Sequence, residues 1–104
     1  MTLKELQAEV REWRIHKTNF GDDPTDPLLG VMEEVGELTH AHLKMKQGIR
    51  KNEDHYRGKI DAVGDILIYL ADYCDRNGLD LSCCLTMAWG EVKERNWKTR
   101  DIQS

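Results

Sequence analysis

Both prolines of the chain, Pro24 and Pro27, stand in the single stretch Asn19-Phe20-Gly21-Asp22-Asp23-Pro24-Thr25-Asp26-Pro27. Proline lacks the backbone donor that a helix interior or a central strand requires, so this stretch reads as a loop and the remainder is free to be regular. What flanks it repeats at helical spacing. Thr2-x-x-Glu5 is a capping-box pattern that opens a first helix, along which Leu3, Leu6, Val10 and Trp13 recur every three or four residues. A second helix is predicted from residue 28 to about residue 46, fading at Gly48, with a polar connector over 50–54. A third is predicted over 55–76, weakened in its first turns by Gly58 and stopped by Asn77-Gly78, a left-handed signal. Asp80 or Ser82 can cap a fourth, which continues through Trp89 and Val92 to about residue 97. Nothing reads as a strand pair. The expectation is one all-α domain, a four-helix bundle whose short connections set neighbours antiparallel.

With 104 residues, 39% hydrophobic and 33% charged, the chain suits a single soluble domain with a modest core, which gains from oligomerisation. No apolar run approaches a membrane span, and the N-terminus lacks the basic-then-apolar layout of a secretion signal, so a cytoplasmic location is expected and a membrane partner is not. A formal charge of −4 argues against nucleic acid as a partner, because such binders present a basic face. Cys74, Cys83 and Cys84 form no Cys-x-x-Cys spacing, which leaves a zinc ribbon or redox pair without support and makes buried reduced thiols the expectation.

Chemistry is concentrated in two segments that align without a gap. Glu33-Glu34-Val35-Gly36-Glu37-Leu38 and Asp61-Ala62-Val63-Gly64-Asp65-Ile66 both read acid, variable, Val, Gly, acid, aliphatic. At about 100° per residue, Glu33, Glu34 and Glu37 share one arc of the second helix. Asp61 and Asp65 fall about 40° apart on the third, with Asp72 between them in projection. Much of the rest of that helix is apolar or aromatic, which predicts burial and an acidic stripe that is at least partly enclosed. Enclosed carboxylates need compensating charge, and an all-oxygen donor set with water suits Mg²⁺, or Mn²⁺, better than zinc. Gly36 and Gly64 each cost a helix roughly 1 kcal/mol, so close backbone approach beside the acids is expected there.

These segments resemble the MazG-like, all-α nucleoside triphosphate pyrophosphohydrolases, a superfamily that includes dimeric dUTPases and dCTP pyrophosphatases. The family pattern is Glu-Glu-x-x-Glu on one helix and Glu-x-x-Asp on the next. Glu33-Glu34-x-x-Glu37 matches the first half in full, and Asp65 matches the end of the second. Ala62 stands where the family has glutamate, and Asp61, on the same stripe, is the available substitute. The likeness extends from Trp13 to Trp97. It sets Tyr69 and Phe20 near the nucleotide and gives Val92-Lys93-Glu94-Arg95-Asn96-Trp97 the place of a segment that touches substrate.

The resemblance implies a (d)NTP substrate cleaved to (d)NMP and pyrophosphate, in a homodimer or a dimer of dimers. Glu34, Glu37 and Asp65 are then metal ligands and Asp61 a fourth. Glu33 aligns the attacking water, a role it can exchange with Glu34. Lys44, Lys46, Arg50 and Lys51 either meet the phosphate tail or merely favour a helix C-terminus. Lys93 and Arg95 contact phosphate or ribose, or are solvated surface charge. Trp13 reads as a core residue on an amphipathic helix, with base stacking as its alternative, and Trp89 and Trp97 read as core or interface residues. Two other functions compete. Glu37-x-x-His40 is one of the two Glu-x-x-His pairs that a di-iron carboxylate bundle requires, and the third helix offers no second. A helical interaction module of the same fold without turnover is the other, and Ala62 is the residue that favours it.

Overall fold

The computed structural model describes residues 1–48, 54–96 and 98, and among these every regular element is a helix. Helix α1 covers Leu3–Lys17, α2 Asp26–Gln47, α3 His55–Arg76 and α4 Leu81–Glu94. Arg50, Lys51 and Trp97 lie outside the described residues.

Local chemistry fixes the ends. The capping box forms at α1: the Glu5 amide donates to Thr2 Oγ1 at 3.0 Å, and the Thr2 amide donates to Glu5 Oε1 at 2.9 Å. Helix α2 starts two residues before the expected position, because Pro27 sits in its first turn, where no backbone donor is needed. Gly48 closes it at φ 69°, returning its amide to the Lys44 and Met45 carbonyls. Asp54 caps α3 by accepting from the Arg57 amide at 2.9 Å. At the other end of α3, Gly78 takes φ 68° and the Leu79 amide donates to the Cys74 carbonyl at 2.8 Å. Asp80 caps α4 through the Cys83 amide at 2.9 Å. That helix stops at Glu94, short of the expected 97, where Arg95 turns extended.

Helix α3 is the hub. Three pairings set α2 antiparallel along it: Gly30 against Tyr69, Ala41 against Gly58, and His40 against His55 with ring centroids 6.3 Å apart. Small residues make this close approach possible, and Ala41, Ala62 and Ala71 are buried. Helix α1 also runs antiparallel to α3, tied by Arg11 to Asp75 and by Arg14 to Asp72 and Asp75. The Gln7 side-chain amide fastens the start of α4 to α1, donating to the Leu79 carbonyl and accepting from the Leu81 amide, both at 2.8 Å. Among the described residues no Cα of α1 comes within 8 Å of one in α2, nor one of α2 within 8 Å of one in α4. The four helices therefore spread around α3 instead of closing on a shared core. The Cα radius of gyration is 17.1 Å, against about 13 Å for a compact chain of this length.

Three expectations are corrected here. Helix α3 is not buried all round: Ile60 is 53% and Val63 49% exposed, because no described element covers that side. Space is open where a β-carbon would stand at Gly36 and at Gly64; the close approach is at Gly30 instead. Of the thiols only Cys74 is buried, since Cys83 and Cys84 ride on α4, which buries no residue.

Candidate functional site

Two adjoining cavities open between α1, α2, α3 and the proline-containing loop. One, of about 250 Å³, is lined by Val10, Trp13, Phe20, Glu34, Asp65, Ile68, Tyr69 and Asp72. The other, of about 340 Å³, shares Phe20, Tyr69 and Asp72 with it and adds Asp26, Leu29, Gly30, Glu33 and Arg76. Phe20 reaches the site from the loop and stands edge-on to Trp13, centroids 5.9 Å apart. The Tyr69 ring lies in the gap left by the missing side chain of Gly30, where a β-carbon would collide with it. The walls thus combine aromatic rings with acids from α2 and α3.

Glu34 and Asp65 come from different helices and face one cavity, both half-buried. Burial raises the Glu34 pKa above the ordinary glutamate value, and the charges of Asp65, Glu33 and Glu37 push it further up. The Tyr69 hydroxyl is raised too, by burial first and then by Glu33, Glu34, Asp65 and Asp72. None of Glu33, Glu34, Glu37 and Asp65 forms an ion pair with a described residue. The acids therefore repel one another without an ion-paired cation among the described residues to offset them, which is the electrostatic condition that a bound cation relieves. They are not drawn into a finished cage: among the described residues, no three His, Cys, Asp or Glu side chains converge closely enough to hold a metal ion alone.

Other residues singled out in the sequence are placed differently. Glu37 is exposed and lines neither cavity. Asp61 is exposed and pairs with Arg57 one turn away at 3.4 Å. Ala62 is 2% exposed, so a longer acidic side chain there would have to displace its neighbours. Lys44 donates to Gln47 Oε1 at 3.3 Å, on the α2 turn that precedes Gly48. Lys93 and Arg95 sit at the end of α4, where Arg95 approaches Glu91 at 4.0 Å, and neither lines the cavities. His40 faces His55 rather than an acidic partner.

One set of side chains was not singled out for a role: Arg14, Asp72, Asp75 and Arg76. Arg14 Nη1 donates to Asp72 Oδ1 at 2.5 Å and its Nη2 to Asp75 Oδ2 at 2.8 Å. Arg76 Nε donates to the same Asp72 oxygen at 3.0 Å, and its Nη1 to the Asp23 carbonyl at 2.8 Å, which ties the loop to α3. Burial opposes the charge on Arg14, yet its bonds to Asp72 and Asp75 outweigh that and hold its pKa above the usual guanidinium value. The only sequence signal was Asp72 on the acidic stripe; its partner Arg14 is 58 residues away. No helix among the described residues is long and apolar enough to cross a membrane. No protein-family model matches the chain, and neither a curated protein nor a solved structure matches it.

Proposed function

We propose that the chain is a Mg²⁺-dependent nucleotide pyrophosphohydrolase of the MazG kind, working in the cytoplasm and converting a nucleoside triphosphate to the monophosphate and pyrophosphate. One observation supports this reading above the others. Glu34 from α2 and Asp65 from α3 line one aromatic-walled cavity, and their repulsion is unrelieved by any described cation. Mg²⁺ is commonly held by one or two carboxylates and completes its shell with water and substrate phosphates, so a partly assembled acidic site suits it. In this reading Glu34 and Asp65 are the principal ligands, with Glu37 and Asp61 as further oxygen donors. When bound, the metal neutralises phosphate oxygens; Mn²⁺ can replace it.

The chain's own side chains account for the rest of the proposal. Glu33 lines the neighbouring cavity and orients the attacking water. Phe20 and Tyr69 flank the base. Lys44, Lys93 and Arg95 are phosphate contacts that a second copy of the chain would bring to the site, in a dimer or dimer of dimers. Support for the second copy is the exposure of large apolar side chains, with Met32 at 67% and Trp89 at 56%. Pyrophosphate release from a panel of nucleoside triphosphates with Mg²⁺ tests the reading. Glu34→Gln, Glu37→Gln and Asp65→Asn should each reduce kcat by at least about a hundredfold while the helical circular-dichroism signal persists. Full turnover in all three variants would remove the proposal. The buried Ala62 favours a second reading, an interaction module without turnover, which predicts no release from any nucleotide.

A further inference from the structure

Asp72 lines both cavities and Arg76 lines the larger, and neither has a part in the metal chemistry above. Both side chains are almost out of solvent, at 13% and 2% exposure. Their bonds are used unevenly. Oδ1 of Asp72 accepts from Arg14 and from Arg76, whereas Oδ2 accepts from no described residue. Arg76 commits Nε to Asp72 and Nη1 to the Asp23 carbonyl, which leaves Nη2 without a described acceptor. A carboxylate only accepts and a guanidinium only donates. A buried acceptor and a buried donor left unsatisfied are each unfavourable, so a ligand that pairs with both is preferred to one that does not.

We propose that Asp72 and Arg76 read the base edge and select nucleotides in which an exocyclic amine at C4 of a pyrimidine or C6 of a purine adjoins an acceptor ring nitrogen, as in cytosine and adenine. The amine donates to Asp72 Oδ2 and the ring nitrogen accepts from Arg76 Nη2. Phe20 and Tyr69 line the same cavity and supply apolar faces for the ring. Uracil, thymine and guanine offer the reverse pattern, a carbonyl oxygen beside a ring N–H. Each would set oxygen against carboxylate and N–H against guanidinium. Arg14 acts here only as a positioning residue, holding Oδ1 so that Oδ2 is the oxygen left over. The proposal rests on the nucleotide reading of this cavity.

The test uses the full chain with Mg²⁺ and the non-hydrolysable α,β-imido analogues of dCTP, dATP, dUTP and dGTP. Binding is measured by calorimetry and, in parallel, pyrophosphate release from the four natural nucleotides. The dCTP and dATP analogues should bind at least about tenfold more tightly than the other two. Asp72→Asn keeps the shape but can turn an amide donor toward the base, so the dCTP-to-dUTP affinity ratio should collapse or invert. A purely structural role for Asp72 would weaken the fold and leave that ratio unchanged. If Asp72→Asn fails to fold, the wild-type ratio decides. Equal affinities, a preference for dUTP or dGTP, or no binding of any analogue overturns the proposal. Release without base preference removes this inference alone; base-selective binding without release removes the pyrophosphohydrolase reading alone.

Discussion

Tyr69 occupies space that any side chain at position 30 would need, and this fixes its ring beside the acids. Helix propensity alone makes alanine about 1 kcal/mol better than glycine at an interior position. Gly30→Ala should nevertheless destabilise the chain by about 1–3 kcal/mol in chemical denaturation, because the ring must move or the helices part. The same change should raise KM for the nucleotide more than it lowers kcat. A higher denaturation midpoint in Gly30→Ala would mean that the ring is not lodged there. That Tyr69 faces the acidic stripe was legible, since it follows Asp65 by one helical turn. The importance of Gly30 was not. In sequence Gly36 and Gly64 looked like the points of close approach, but only the distance between α2 and α3 decides which glycine is crowded. The pairing of Asp72 with Arg14 was hidden in the same way, by 58 intervening residues.

At the level of helices, the proposed metal site on the acidic faces of α2 and α3 would make stability depend on pH and metal together. The folded chain holds Glu34's proton more tightly than an unfolded glutamate would, through burial and the neighbouring acids. Its contribution to stability is therefore present below the ordinary glutamate range and is lost as pH rises through the raised value. At neutral pH without metal the two faces repel, and a divalent cation should restore what is lost. Mg²⁺ should raise the melting temperature by several degrees at pH 7.5 and hardly at all at pH 4. Glu34→Gln should melt higher than the wild type without metal at pH 7.5, and gain less from Mg²⁺. An undiminished Mg²⁺ gain in Glu34→Gln would place cation binding elsewhere. Helix positions were legible because caps and stops are local: Thr2 with Glu5, Asp80, and Asn77-Gly78 announce themselves within a few residues. Enclosure was not, because an apolar composition states a need for burial without saying which surface meets it. On α3 that need is met by α1 and α2 on some sides and left open at Ile60 and Val63.

For the molecule as a whole, the spread arrangement around α3 leaves much of the apolar surface in water. Leu29 and Met32 on α2, and Leu85 and Trp89 on α4, are more than half exposed. Monomeric proteins rarely present such side chains together in large patches. Sedimentation at micromolar concentration should give a particle of at least two 12.1 kDa chains, and Met32→Glu or Trp89→Glu should reduce its mass. A 12.1 kDa particle at every concentration would sink the oligomer reading. The all-α class was legible from proline placement and helical period, while the open outline was not, since local pattern carries no information about how many chains share a core. In the proposed oligomer, whose chains each shelter so few of their oily side chains, the number of neighbours would be a determinant of folding. Thinning the solution would act as urea does, and the amount of protein a cell makes would set the fraction that is folded at all.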